Sequence, residues 1–311
     1  MGWTKSMIVG KPLKDNLKMK RETKKRLGRY SKYLILSIWT IIVAFPIYWI
    51  AATSFKPDKD WFAWPPVYWS EDATLNNYAV VWLDHQEEYE GGTQYSHSMQ
   101  KPWKALRNSL LISLLSTAFA VGFGTILAYG VSRYQILSEG RMFQLLMLRM
   151  VPPIVIVAPL SLYYSALHLL DTITGLVIIY SITTLPYAVW MIKSFIDELP
   201  REIEQAAMIL GASRLRTLWE IVFPLVRSGI VATFLFILIL TWSEYLLALL
   251  LSKTEVVTLP VELSKYEGSV EGRVYGRQAA LAVGITLPLI AIGIFIRKHL
   301  ARGFSFGMVK R

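Results

Sequence analysis

The feature that most constrains the fold is a series of apolar stretches, each free or nearly free of charge and about as long as a membrane-spanning helix. The first runs from Tyr33 to Phe55, and about 20 helical residues cross a hydrocarbon core. Because lipid offers no hydrogen-bond partners, each stretch is expected to be an α-helix. The sequence therefore predicts an all-α integral membrane protein with six transmembrane helices, at residues 33–55, 108–132, 142–170, 172–192, 228–252 and 278–296.

Composition and charge agree with this prediction. Of the 311 residues 54% are hydrophobic, and the formal net charge is +11. A basic chain could bind nucleic acid, but here Lys and Arg flank the apolar stretches, which is typical of residues that orient a membrane protein. We expect contact with membrane lipid and no nucleic-acid partner. The absence of cysteine excludes disulfides and thiolate metal sites.

The distribution of basic residues predicts the orientation. Residues 1–32 contain eleven Lys and Arg, and residues 193–227 contain five, whereas the loop 56–106 carries eight acids. By the positive-inside rule, both termini and the loop 196–227 are expected in the cytoplasm, with residues 33–299 forming the transmembrane domain and 300–311 a cytoplasmic tail. A cleaved signal peptide would also begin with basic residues. The first apolar stretch is longer than a signal core and no small-residue cleavage site follows Ser54, so we interpret it as an uncleaved span.

The loop 196–227 is predicted to form two short amphipathic helices. Pro200 suits a first helical turn, and Gly211 can supply a left-handed stop before Ser213 caps the second helix. Apolar residues recur at helical spacing on the first helix (Ile203, Ala206, Ala207, Leu210) and on the second (Leu215, Leu218, Trp219, Val222), and Pro224 is expected to end the run. Such a hairpin could lie on the membrane. The small alanines instead favour close approach to a protein partner.

At this loop the chain resembles the permeases of bacterial ABC importers. Their EAA loop reads EAA, three residues, Gly, nine residues, then I-x-L-P. Residues 204–213 read EQAAMILGAS and residues 221–224 read IVFP, with Gln205 at the family's Glu, Leu210 at a common Asp and Phe223 at the usual Leu. Further matches to the carbohydrate-uptake, maltose-type permeases are TSFKP at 53–57, RMVPP at 149–153, LPYAVW at 185–190, WSEY at 242–245 and GFSFGMVK at 303–310.

The resemblance implies a function and a set of partners. In that family the EAA loop is a coupling helix that docks into an ATP-binding subunit. The fold would be that of a type I importer permease in a bacterial cytoplasmic membrane, with a second, different permease, two ATP-binding subunits that hold ATP and Mg²⁺, and an extracytoplasmic solute-binding protein. The solute would be a sugar, oligosaccharide, polyol or related compound. By the same resemblance, the coupling residues are Glu204, Gln205, Ala206, Ala207, Leu210, Gly211, Ala212 and Ser213.

Four other residues are candidates for the translocation path. Arg149 and Glu244 fall inside predicted spans, where ionisable groups are costly and indicate function by default. Structural pairing or snorkelling is the alternative for Arg149. Tyr163 and Trp190 could stack on sugar faces, or simply pack as aromatic residues in spans.

The sequence also lacks several chemical signatures. It contains no G-x-x-x-x-G-K-[ST] phosphate loop, no H-E-x-x-H and no G-x-S-x-G. We therefore expect no catalytic residue, no metal site and no cofactor bound by this chain. The alternatives are an ion-gradient-driven secondary transporter, which would need inverted repeats and coupling-ion ligands, and a membrane-bound enzyme or scaffold.

Overall fold

The computed structural model describes residues 11–83, 102–148, 152–265 and 274–306, and within these ranges all regular structure is helical. A short 3-10 turn, Asp58–Asp60, follows the first helix. The twelve α-helices of the described ranges are α1 Lys11–Ser54, α2 Asn76–Leu83, α3 Pro102–Tyr134, α4 Glu139–Leu148, α5 Pro153–Ala166, α6 Ile173–Asp197, α7 Arg201–Ile209, α8 Arg214–Thr217, α9 Phe223–Trp242, α10 Leu246–Leu251, α11 Leu259–Lys265 and α12 Tyr275–Phe306.

Five described segments are long and apolar enough to cross a bilayer: Gly28–Ser54, Pro102–Tyr134, Ile173–Asp197, Arg214–Trp242 and Tyr275–Ile294. They correspond to the first, second, fourth, fifth and sixth predicted spans. The predicted third span is not one helix in the structure. It comprises α4, which ends at Leu148, and the 14-residue α5, which begins at Pro153.

Two adjacent prolines explain why α5 begins where it does. Pro152 takes an extended conformation with φ −58° and ψ 126°, and Pro153 occupies the first helical turn. A proline has no N–H to donate, and a residue before proline is disfavoured in the α region, so this pair suits a helix start. The hydropathy of the segment gives no sign of that start.

The predicted fifth span also differs at both of its ends. Its helix ends at Trp242, and α10 starts only at Leu246, so residues 243–245 interrupt the expected 228–252 helix. At the N-terminal end of this span Pro224 does not break the helix. A π-helical segment, Leu218–Val222, joins α8 to α9, with the N–H of Phe223 bonded to the carbonyl of Leu218. Next to this wider turn a proline is tolerated, because Pro224 has no backbone N–H that would need an acceptor.

The centre of the bundle is the pair α3 and α6, against which α9 packs. A buried apolar cluster draws on all three helices, with Ala128, Ile192 and Ile237 at most 1% exposed. The two central helices approach closely at Gly124, where a Cβ atom would lie 2.7 Å from the Cβ of Ala188. Only a glycine on α3 permits this separation.

The outer surface of the bundle is apolar. Large side chains between Tyr30 and Ile50 of α1 face outwards, among them Trp39 at 65% and Ile41 at 67% exposed. In water such a surface would be strongly unfavourable, but in lipid it has no cost. Of the aromatic residues that follow α1, Trp64 is 89% and Trp69 57% exposed.

The close contact of α3 and α6 gives a first testable prediction. Gly124→Ala is expected to lower the unfolding free energy by about 1–3 kcal/mol, because the added methyl overpacks against Ala188. The matched control is Gly122→Ala, since a Cβ there meets nothing within 4 Å and alanine favours the helix. Thermal unfolding in detergent measures both variants. Equal melting temperatures for the two would contradict the packing described here.

Candidate functional site

The segment between α6 and α9 forms an elbow, residues 201–217, made of α7, a turn and α8. Pro200 precedes α7 in an extended conformation, and Glu202 and Glu204 occupy its first turn. Acidic side chains are favourable there because the first turn of a helix carries unpaired N–H groups and a positive partial charge.

The turn of the elbow is a Schellman motif. Ala212 donates its N–H to the carbonyl of Ala207 at 3.0 Å, and Gly211 donates to Met208 at 3.0 Å. Gly211 has φ +90°, a conformation in which a side chain is strained. Ser213 then caps α8, since its hydroxyl accepts from the N–H of Arg216. The predicted stop and cap are both observed, and they fix the angle between the two helices locally.

Glu204 points into the bundle rather than outwards. Its Oε1 lies 2.6 Å from Nε of Arg133 on α3, and both side chains are less than a tenth exposed. Its Oε2 accepts a hydrogen bond from the hydroxyl of Tyr129 at 3.0 Å. Both carboxylate oxygens are therefore engaged within the chain, and because Glu204 is buried it is not available for the surface role that its place in the EAA loop suggested.

Arg133 joins the elbow to both central helices. Its Nη2 donates to the carbonyls of Ile196 at 3.0 Å and Leu199 at 3.1 Å, at the end of α6. A second tie lies beside it, where Ser132 donates to Asp197. The guanidinium of Arg133 thus links three elements: α3, on which it stands, α7, and the C-terminal end of α6. The ion pair of Arg133 and Glu204 is called the latch below.

Apart from Ala207, the remaining predicted coupling residues lie on the turn and on the outward side of α7. Ile209 and Leu210 are 85% and 88% exposed, whereas Ala207 is buried beside Glu204. The predicted apolar stripe is therefore divided between two faces. Gln205, Ala206, Gly211 and Ser213 are also exposed, and Ala212 is half-buried. On the second helix Leu218 and Val222 enter the core and Leu215 and Trp219 stay outside.

Of the four path candidates, the three that the structure describes make no contact with one another in the described part of the chain. Arg149 lies outside the described residues. Glu244 sits in the break after α9, where its Oε1 accepts from the N–H of Leu247 at 3.1 Å and so caps α10. Tyr163 on α5 and Trp190 on α6 are 71% and 54% exposed. In the part of the chain that the structure describes, no hydrogen bond or ring contact joins Glu244 to either aromatic residue.

Sequence reasoning missed Arg133 and Tyr129. Arg133 is one of the basic residues that flank the apolar stretches, and its sequence position gives no further sign of its role. A usable signal existed, because Glu204 and Ala207 are one turn apart on α7 and so share a face that turned out to be the buried one. A buried carboxylate requires a cationic partner, and Arg133 stands at the end of the neighbouring span.

At the opposite end of the bundle a second polar junction holds the α5–α6 connection. The carboxylate of Asp171 accepts four backbone N–H bonds, from residues 253–256, at 2.9–3.0 Å. Burial alone would raise the pKa of this carboxyl, but the four donors outweigh it and lower the pKa to about 2. The clasp fixes the start of α6 to the segment between α10 and α11.

Comparison with known proteins identifies the family. The sequence-family model described as binding-protein-dependent transport system inner membrane component matches residues 120–306. The chain belongs to this family. The inner membrane ABC transporter permease protein YcjP of Escherichia coli K12 is 32% identical over 292 residues, covering 92% of this chain and 98% of its own. The trehalose/maltose transport system permease protein MalG of Thermococcus litoralis is 31% identical over 291 residues, covering 90% and 97%.

A solved structure supports the fold. A chain of a bacterial ABC transporter involved in the import of the acidic polysaccharide alginate superposes with a TM-score of 0.70 at 19% identity, over 88% of this permease and 97% of that chain. The predicted family and the all-α membrane fold are confirmed. The protein is a multi-pass inner-membrane permease subunit of an ABC importer, a family that implies ATP-binding and solute-binding partners and whose members are not themselves ATPases.

The Asp171 clasp gives a second prediction. Asp171→Asn is expected to destabilise the permease by about 2 kcal/mol at pH 7, because an amide has one acceptor oxygen for four donors. A carboxyl whose folded pKa is lowered stabilises the fold above its unfolded pKa, so the contribution is expected to vanish as pH falls from about 4 to about 2. The melting temperatures of the Asp171→Asn variant and the unsubstituted permease should converge as the pH falls across this range. A gap that persists at the lowest pH would contradict the assignment.

Proposed function

We propose that this permease carries a sugar, oligosaccharide, polyol or related solute into the cell. Relatives support the proposal by their stated roles: the 31% identical MalG belongs to a trehalose/maltose system, and SmoH of Agrobacterium fabrum, 30% identical over 285 residues, to a sulfoquinovosyl glycerol system. Exposed Tyr163 and Trp190, with Glu244 and Arg149, remain the candidates for contact with the solute along the path.

The proposed assembly contains four further subunits. A second, different permease completes the path, two ATP-binding subunits hold ATP and Mg²⁺, and a solute-binding protein delivers the solute from outside. The chain lies in the membrane with both termini and the elbow in the cytoplasm, as its basic segments favour. The Asp171 clasp then lies on the outer side.

The elbow is the proposed contact with an ATP-binding subunit, and the latch is the observation that carries this proposal. A carboxylate and a guanidinium are removed from water at a single contact, with every carboxylate oxygen bonded. Such a contact holds one geometry, since partial separation leaves two buried charges unpaired. A push on the elbow is therefore conveyed to α3 and α6 together rather than absorbed by a flexible loop.

The structure of α6 suits this transmission. Arg133 holds its cytoplasmic end by two carbonyls, and the Asp171 clasp holds the segment just before its outer end. We infer that movement of the elbow tilts α3 and α6 as one body, so that access to the path alternates between the two sides of the membrane.

The latch gives a third prediction. In proteoliposomes with the complete importer, Glu204→Gln is expected to raise the ATP hydrolysed per solute transported about tenfold, because Arg133 is left buried without its counter-charge, at a cost of about 3–5 kcal/mol. The matched control is Glu202→Gln, which removes an exposed acid from the same helical turn. It should change the ratio less than about twofold, since exposed charges contribute little.

Two outcomes would contradict coupling through the latch. One is an unchanged ratio in Glu204→Gln, provided that the variant is monodisperse and assembles with its partners. The other is equal effects of the two substitutions, which would assign the change to the helix terminus rather than to the buried pair.

The class of transport is tested separately. In vesicles with internal ATP, collapsing the ion gradients with ionophores should leave uptake of the preferred sugar within about twofold, because the driving force is the hydrolysis of ATP on a partner rather than coupling-ion binding. Uptake that stops with the gradient and ignores ATP would favour a secondary transporter.

A further inference from the structure

The segment that follows α1 contains ten consecutive residues without a charge, residues 61–70, here called the aromatic loop. Charged residues stand immediately before it, at 58–60, and immediately after it, at 71–72. Four of its rings are more than half exposed, namely Phe62, Trp64, Tyr68 and Trp69. Phe62 also meets the ring of Tyr275 at the start of α12. A cluster of exposed rings indicates an interaction surface.

The aromatic loop folds back along α1. The hydroxyl of Tyr48 donates to the carbonyl of Tyr68 at 3.2 Å, and the Tyr68 ring meets the Trp49 ring edge-on, with centroids 5.8 Å apart. Tyr48 stands six residues before the end of α1, so Tyr68 lies about 9 Å below that end at about 1.5 Å per residue. The chain then returns to the end of the helix, where the N–H of Thr74 donates to the carbonyl of Phe55 at 2.8 Å.

The length of the first span converts this position into a depth in the membrane. The apolar segment Gly28–Ser54 has 27 residues. That is about 40 Å of helix, which matches the thickness of a bilayer with both headgroup layers. A residue about 9 Å inside the end of such a helix lies near the boundary between headgroups and acyl chains. Tryptophan and tyrosine are enriched at this level, because one end of each side chain is apolar and the other is polar.

Backbone chemistry limits the depth of the loop and favours its tip. Irregular backbone is not tolerated among the acyl chains, because lipid satisfies neither N–H nor C=O groups. Pro65 and Pro66 have no N–H, and the carbonyl of Tyr68 already accepts from Tyr48. Two donors are thus missing and one acceptor is bonded in this short segment. Both features lower the cost of placing it at the edge of the acyl region.

The charges near the loop are arranged differently from its rings. Lys59 and Asp72, both exposed, pair with each other and so tie the two ends of the loop together. Lys56 is only 2% exposed, and its ammonium lies 4.0 Å from the centre of the Trp49 ring, so protein surrounds this cation. A soluble partner that approached from the water would meet the charged ends first. The Tyr68 ring instead lies beside the helix, at a level that lipid occupies.

We propose that the aromatic loop inserts into the boundary between the headgroups and the acyl chains, so that lipid and not protein covers Trp64, Tyr68 and Trp69. The inserted rings continue the lipid-facing surface of α1, which is apolar as far as Ile50. Under the proposed topology the leaflet is the outer one. Insertion itself requires only that α1 spans the membrane.

Insertion fixes the height of this end of the bundle. Asn77 on α2 donates to the carbonyls of Ser54 and Lys56 at 3.0 and 2.9 Å. The same amide packs on α12, where a Cβ atom at Gly276 would lie 2.6 Å from its nitrogen. The end of α1, the loop, α2 and the start of α12 are therefore connected. Movement of this unit along the membrane normal would draw the rings out of the interface, which opposes such movement.

Spin labels test the depth of the loop, since the chain contains no cysteine. The importer is reconstituted in proteoliposomes, with any cysteines of its partners replaced, and carries one label at Pro66→Cys, Val67→Cys or Ala73→Cys. Ala73 is exposed beyond the charged end of the loop and is the matched control. Power saturation compares collisions with oxygen and with a polar nickel chelate. The oxygen-to-nickel ratio at 66 and 67 is expected to exceed that at 73 about threefold or more, because a polar chelate is excluded from acyl chains.

An added charge shows whether the tip itself is inserted. With the label at 66, Trp64→Asp is expected to lower the ratio to the value at 73, because a carboxylate stays in water. Ala73→Asp adds the same charge at the base of the loop and should leave the ratio unchanged. Labels at 66 and 67 that collide mainly with nickel would overturn the proposal, as would a high ratio that Trp64→Asp leaves unchanged. Weak collision with both reagents would also overturn it, because a protein partner would then cover the rings.

Discussion

Removing Arg133 and Glu204 from water costs several kcal/mol for each ion, and only a close contact with every polar atom bonded can offset it. The structure meets this condition, since Glu204 is bonded through both oxygens and Arg133 also donates to two carbonyls of the α6 terminus. A pair of this kind adds little net stability compared with apolar residues of the same size. Its consequence is a defined geometry, which suits a joint that must transmit force.

The rest of the fold extends this joint through the bundle. Small residues let α3 and α6 approach closely at Gly124 and Ala188, and close approach of this kind is how helices pack when no water drives them together. The Asp171 clasp fixes the other end of α6 with four charge-assisted bonds. The two polar junctions stand at the ends of the helix and the small-residue contact stands between them, so α6 is supported along its whole length.

Hydropathy predicted most of this architecture because bilayer thickness imposes a length on each span. It failed where a helix is interrupted inside an apolar segment, before α5 and after α9, since apolar composition is the same on both sides of such a break. Helical spacing predicted α7 and its glycine stop, but it assigned faces by polarity and so left Glu204 outside. The partner of Glu204 lies 71 residues away, so the local pattern on α7 could indicate that Glu204 shares a face with Ala207 but could not identify Arg133 as the residue it pairs with.

The central claim is that the elbow and α3 move as one body, and a distance measurement tests it directly. Because the chain has no cysteine, cysteines placed at Glu202 on α7 and Leu114 on α3 would carry the only two spin labels. Double electron–electron resonance on the assembled importer should give one narrow distribution of the distance between the two labels, and this distribution should not shift between the nucleotide-free and ATP-bound states. A distribution that shifts or splits when ATP binds would show that the elbow moves independently of α3, and would contradict the account.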